Sequence, residues 1–596
     1  MTEHFEVVGR DGAARLGRLR LAEPVTTPAL LDDVLEDAGS LWAAERELPD
    51  GVEDALTVLP HRGFPGGTRE AVREAFAVEY PEVSFPSAAV IHSEAARNCG
   101  TDAYLLSDVQ SLVGHGRAVR DAVVRVRAAI PPDTALVCSG VATPRNVAAL
   151  AYAGVDGFDD ARAVVAGTEG RYLTTEGAYD LETVRELDEL PCRCSTCTAL
   201  AEDPDALTRE DCVAHNRTAL RAELARVRQR IRAGRLRDYL EGQARHANWC
   251  VALLRELDEG WGYLEERTPI LREADLDAAS EDTLRRVEIR RFADRVTTRY
   301  RNRFDNPLVL LPCSARKPYS DSQSHRQFYR AIEYRGHVVS MTSPIGVVPT
   351  ELECTYPAQH YDSVVTGRWS AEEVEFVSTV LARYLERNDY PAVIAHVPDE
   401  GYREVVERAV DAADLSPADV PVTYTVEADQ HPRDPDALAT LDEALDPYLK
   451  FSKREREHNT VRAIADYLIG DGAGDELFAD IRTTSRHPKL QVRDTEDTQL
   501  AAQVARYGTL SFTLEGARRW VEADVPTRRV TIEDFVPHGS VLAPGVTDAD
   551  ASIRVGDEVV IEGPAAFGVG RAAMFGREMV ESNRGVAVEV RHVEEH

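Results

Sequence analysis

The chain reads as an α/β multidomain protein: a barrel-like parallel β/α domain first, then a doubly wound α/β core, a small α+β domain and a C-terminal β-barrel. Three observations carry that reading. Its 596 residues are too many for one hydrophobic core. Short apolar runs alternate with helical patterns through most of the chain, which is the βα rhythm of parallel sheets. The last segment is short strands separated by glycine-rich turns, as in a small closed barrel.

Composition sets the outer bounds. With 43% hydrophobic and 29% charged residues the chain is globular. No run approaches the ~18 apolar residues of a membrane span, and residues 1–12 lack a basic start followed by an apolar stretch. The expectation is a cytoplasmic protein with no membrane partner. Nine cysteines, three of them within 192–197, fit metal binding and reduced thiols better than a disulfide framework. The formal charge of −33, with Lys317, Lys450, Lys453 and Lys489 as the only lysines, argues against a polyanionic partner at ordinary ionic strength. A halophilic cytoplasm reverses the argument. Near molar salt the Debye length is ~3 Å, so distant acidic charge is screened and arginines at contact range decide binding.

In chain order, residues 12–31 read as a β-hairpin entering the first domain, 1–255. The runs 88–91, 103–106, 135–138 and 155–158 supply its parallel strands, in a closed barrel or an open doubly wound sheet. Cys192, Cys194 and Cys197, followed by His215, offer three thiolates and an imidazole. That donor set suits a closed, structural Zn2+ site, with Cys212 an alternative fourth ligand. A helical, arginine-rich connector at 256–305 ends in Arg301 and Arg303; it reads as an RNA-facing surface or as a solvated face with i,i+4 pairs.

The core, 306–428, reads β-α-β-α-β-α-β, with strands at 308–312, 337–342, 392–397 and 422–426 and helices at 324–332, 371–387 and 402–413. Its first strand runs into a loop rich in reactive groups: Cys313, Ser314, Lys317, Tyr319, Ser324 and His325. Ligands of α/β sheets bind beyond the carboxyl ends of the strands, where this loop stands. The Pro- and Asp-rich stretch 429–436 reads as a linker, 448–517 as the small α+β domain and 518–596 as the barrel.

Resemblances then narrow the reading. Residues 14–19 with Thr27-Pro28, the segment Gly154-Val155-Asp156-Gly157-Phe158-Asp159 and the cysteine cluster with His215-Asn216 resemble the archaeal tRNA-guanine transglycosylases, zinc-bearing TIM barrels that exchange guanine for a 7-deazaguanine. The likeness places Asp159 at that family's nucleophile. The family's Asp-Ser-Gly-Gly-Phe-Gln segment has no counterpart here, which makes Asp159 either a relic or an alternative nucleophile. Residues 541–546, 553–559, 569–572 and 585–592 resemble a PUA domain, implying a structured RNA partner, with Arg554 and Arg571 as candidate contacts.

Pro312-Cys313-Ser314 with Lys317-Pro318-Tyr319, Ser322, Ser324 and His325, set between such a barrel and a PUA module, resembles the archaeosine synthase alpha-subunit family. The resemblance implies an enzyme acting on tRNA that carries 7-cyano-7-deazaguanine in its D-arm, adding lysine or a glutamine-derived nitrogen to the nitrile. It further implies a radical-SAM partner that completes the formamidine, and it leaves a homodimer open. A nitrile carbon reacts slowly with amines, so it needs a thiolate relay or proton delivery to its nitrogen. Cys313 is the candidate nucleophile, His325 the proton carrier and Lys317 the charge stabiliser, while Ser314, Tyr319 and Ser324 orient the reactants. The competing readings are base exchange through Asp159 and non-catalytic tRNA binding.

Overall fold

A computed structural model describes residues 3–37, 50–62, 64, 67–75, 83–363, 368–415, 418 and 420–596. They divide into two compact units: Met1–Pro269 with Val541–Arg554 and Met574–Ala587, and Ile270–Ser540 with Val555–Ala573 and Val588–His596. Among the described residues no helix is long and apolar enough to cross a membrane.

The first unit opens with three antiparallel strands: Ala14–Leu19 pairs with Val25–Thr27, the hairpin expected within 12–31, and an additional strand, Phe5–Asp11, pairs with Ala14–Leu19 around a turn at Gly12, whose φ of 64° suits a residue without a Cβ. Seven parallel stretches follow in one sheet. Ala29–Leu30 pairs with Gly157–Phe158 at one end of the strand order, while Leu35–Asp37 pairs with Leu56–Arg62 at the other. Both belong to one chain segment interrupted by the 3-10 turn Asp32–Val34, so the sheet returns on itself. The closed form is therefore favoured over an open sheet, with the first strand split in two. Strand 155–158 is shorter than its apolar run, and Leu56–Arg62 is an additional strand. A buried ion cluster pins the ring: Asp156 accepts from Arg15 and Arg127, and all three are at most 7% exposed.

In the second unit a five-stranded sheet is ordered 346–349, 337–342, 308–312, 393–395, 422–424. All pairs are parallel except the hairpin of His337–Thr342 with Gly346–Pro349. The apolar run Leu308–Pro312 is buried on both faces, which the period of two explains. Leu308 and Leu310 join one core with Phe292, Val296 and Leu381, while Val309 and Leu311 join another with Phe328, Ile332, Leu441 and Leu445.

Two expected boundaries shift for that reason. Val287–Thr298, read as part of a connector, is a core helix, and Arg286, Arg291 and Arg295 are buried with it. The presumed linker runs straight into the helix Pro435–Ala444, whose Leu441 covers the second face. Pro435 at the first helical turn and Asp434 before it are ordinary start signals. Farther on, Arg529–Ile532 pairs with Glu558–Gly563, which pairs with Ala566–Ala572, and that strand pairs with the final one, Val586–Glu595.

Candidate active site and candidate metal centre

The strand Leu308–Pro312 ends at Cys313, and the reactive groups do not all gather there. The Cys313 thiol lies 3.2 Å from the Tyr402 hydroxyl. Burial, followed by the nearby thiol, raises the Tyr402 phenol well above its ordinary value, so it stays protonated and can donate. Lys317 Nζ is 3.7 Å from the centre of the Tyr361 ring and buried with no hydrogen-bond partner among the described residues. Burial lowers its pKa, and the Cys313, Asp362 and Asp275 charges pull it back up. A cation over a desolvated aromatic face gains about 2 kcal/mol, yet its three donors remain unused.

Tyr319, 1% exposed, joins Tyr361 Oη at 2.6 Å, and Tyr361 meets Thr342 Oγ1 at 2.8 Å. A cavity of ≈ 230 Å³ opens at this strand end, lined by Cys313, Ser343, Pro344, Trp369, Ser370 and Glu373. Ser343 Oγ donates to Glu373 Oε1 at 2.6 Å, while Glu373 Oε2 accepts the Ser370 amide at 2.8 Å in a capping box that starts the helix Ala371–Arg387. Trp369 packs on Tyr402, with ring centres 4.5 Å apart.

His325 does something other than carry protons. It is fully buried in the first turn of the helix Gln323–Ile332 and stacks on Tyr319. Nδ1 is 3.1 Å from Ser322 Oγ, and Nε2 is 3.2 Å from Ser340 Oγ. Burial lowers its pKa to about 3, so it is neutral at physiological pH and both nitrogens are engaged. It holds the loop. Ser324 meets Ser322 at 3.2 Å, and Ser314 donates to the Arg316 carbonyl at 2.9 Å, so both hydroxyls are used within the loop. His396 likewise sits inside, between Thr425 Oγ1 and the Pro432 carbonyl.

The candidate metal centre stands in the first unit. Cys192, Cys194, Cys197 and His215 bring their ligand atoms within 4.8 Å of one another. The cysteines lie at the start of the short helix Ser195–Ala199, and His215 lies one and a half turns into Arg209–Arg232, which starts at a Thr208–Asp211 capping box. His215 Nε2 donates to the Leu173 carbonyl at 2.8 Å, which leaves Nδ1, 3.4 Å from Cys197 Sγ, as the ligand atom. Asn216 fixes the same strand by accepting from the Leu173 amide at 2.8 Å. Cys212 is buried in the adjacent apolar cluster and outside this group, so the fourth donor is the histidine.

Asp159 follows the strand Gly157–Phe158, and its carboxylate accepts from Ser139 Oγ, the Gly140 amide at 2.8 Å and the Ala161 amide at 3.2 Å. The arginines proposed for RNA are mostly occupied. Arg301 pairs with Asp471, Arg303 with Asp466 and Asp475, and Arg554 with Glu265. Arg571 lies over Tyr507.

Comparison with known proteins agrees with this layout. Residues 66–248 match the family profile described as queuine tRNA-ribosyltransferase, 459–526 the patch-forming domain C2 of tRNA-guanine transglycosylase and 530–593 the PUA domain. Residues 289–445 match a domain of unknown function, a span that runs from within the helix Val287–Thr298 to the end of the helix Pro435–Ala444 and holds the whole five-stranded sheet. Fold and profiles together define a tRNA-modifying enzyme that joins a transglycosylase-like domain to a PUA module. The archaeosine synthase of Haloferax volcanii is 61% identical over the full length of both chains. The archaeosine synthase subunit alpha of Methanosarcina acetivorans is 41% identical, again over the full length of both. A tRNA-guanine(15) transglycosylase of Methanothermobacter thermautotrophicus is 28% identical over 80% of this chain and 68% of its own. The chain belongs to the archaeosine synthase family.

Proposed function

We propose that this enzyme converts the nitrile of 7-cyano-7-deazaguanine in the D-arm of tRNA at the mouth of the 306–428 core, by adding an amine donor. The observation that supports this most is the Lys317 ammonium, buried beside Cys313 with three donors unspent. Such a group can meet negative charge developing on a nitrile nitrogen. Cys313 Sγ attacks the nitrile carbon and its proton passes to the nitrogen, giving a thioimidate; Tyr402 Oη, 3.2 Å away, is placed to relay that proton. The donor amine then adds to the same carbon, the C–S bond breaks, and the thiol recovers its proton, leaving an amidine. Tyr361 and Tyr319 position Lys317, and His325 positions the loop. The donor is lysine, or a nitrogen taken from glutamine, and a radical-SAM partner completes the formamidine.

The remaining assignments follow the same logic. Residues 1–255 are the transglycosylase-like barrel, 448–517 the small domain and 518–596 the RNA-binding module. Three sulfurs and one nitrogen match a closed tetrahedral Zn2+ site, which would staple the barrel and take no part in the reaction. The acidic, lysine-poor composition suits a halophilic cytoplasm. Incubating the protein with nitrile-bearing tRNA and labelled lysine or glutamine at high salt is the test. One label is expected in the tRNA nucleoside; an untouched nitrile, or release of guanine, counts against the reading.

A further inference from the structure

A second cavity of the second unit is unused by this chemistry. It measures ≈ 570 Å³, and its lining includes Arg330, Tyr334, Glu353, Phe451, Arg456 and Arg486. Glu353, 3% exposed, accepts the Ser320 amide through Oε2 at 2.9 Å. No cation lies within ion-pair distance of it among the described residues. Burial raises its pKa to about 7. The rim is the reverse. Arg330, Arg456 and Arg486 have no carboxylate partner among the described residues, in a chain of net charge −33 whose other arginines are commonly paired. The Arg456 guanidinium lies over the Tyr334 ring at 5.2 Å, and Tyr334, itself 44% exposed, meets Phe451 edge-on.

Each part points to a ligand feature. Unpaired guanidiniums at a rim suit a phosphate, which their fork binds in a bidentate manner. Exposed aromatic faces suit a stacked base. A buried carboxylate wants adjacent N–H donors, and the guanine edge supplies two, at N1 and at the exocyclic amine, where adenine presents an acceptor at N1. We infer that this cavity binds a guanine-type nucleotide of RNA, with the base edge on Glu353 and the phosphate on Arg330, Arg456 and Arg486. The inference does not depend on the nitrile chemistry, because its readout is binding.

Titration of the full chain with guanosine, inosine and adenosine 5′-monophosphates and with inorganic phosphate tests it. The guanine nucleotide is expected to bind about tenfold or more tightly than the adenine one, with inosine between. Glu353→Gln should erase the difference, and joint replacement of Arg456 and Arg486 by Ala should weaken the guanine nucleotide about tenfold while leaving free guanosine unchanged. Equal binding of guanine and adenine nucleotides, binding of phosphate alone, or a Glu353→Gln protein that still discriminates would overturn it. Should Glu353→Gln fail to melt like the parent, the base comparison on the unaltered chain decides alone.

Discussion

The two units each carry a reactive side chain at the carboxyl end of a parallel strand, and they treat it oppositely. Asp159 in the barrel is surrounded by donors: Ser139, Gly140 and Ala161 satisfy its oxygens. The Lys317 ammonium in the five-stranded unit is buried with no hydrogen-bond partner among the described residues. Buried polar groups are nearly always paired, so an unpaired one holds binding capacity in reserve. The comparison teaches that the barrel's aspartate is built into its loop, whereas the unspent donors stand at Lys317, where the proposed chemistry is assigned.

Breaking that comparison begins with the proposed metal site. With Zn2+ bound there as proposed, replacing Cys194 with Ser or adding a chelator should unfold the barrel unit, because structural zinc binding is worth about 10 kcal/mol or more; thermal unfolding followed with released metal checks it. Next comes the ion cluster: Asp156→Ala leaves Arg15 and Arg127 buried without their carboxylate and should cost about 3–5 kcal/mol, read by denaturant titration. Lys317→Met should lower single-turnover nitrile conversion by about 10²–10³-fold, the size of one lost charge stabiliser. Asp159→Asn, measured in parallel, should change that rate less than threefold, roughly the scale of a surface change. Equal losses from the two substitutions would erase the distinction between the units.

A further test is one of pH. His325 and His396, with ordinary values near 6.5, are held by burial at about 3 and about 4. Both are neutral in the folded chain, so their contribution is complete above pH 6.5. It is lost as the pH falls toward 4, because the unfolded chain takes up protons that the fold excludes, at about 1.4 kcal/mol per pH unit for each histidine. Denaturant midpoints at pH 7, 6, 5 and 4 check this, and His325→Asn should lower the slope by about 1.4 kcal/mol per pH unit.

How much was legible in the residues depends on whether a signal is local. The strand Leu308–Pro312, the cysteine spacing and the hairpin within 12–31 are local patterns, and each is found where the pattern puts it. Trp369 and Glu373 in the cavity, Tyr402 against the Cys313 thiol and Tyr361 against Lys317 stand 48 to 89 positions from Cys313, and their own neighbourhoods mark them little. Tyr402 carried the best available signal, as the start of an expected helix directly after a strand. His325 misled for the opposite reason. It lies in a loop dense with reactive groups, but its first-turn position aims the ring at Ser340 in the core, a tertiary fact that residue type cannot show. The arginine-rich stretch misled likewise, because half-buried arginines satisfied by carboxylates or carbonyls read like exposed ones.

The central claim is that Cys313 carries the nitrile through a covalent stage. Cys313→Ala, incubated for a single turnover with nitrile-bearing tRNA and donor, followed by mass spectrometry of the released nucleosides, tests it most directly. The account predicts that the 7-cyano-7-deazaguanosine signal persists undiminished while the unaltered chain consumes it; consumption at the parent rate by the alanine variant would contradict it.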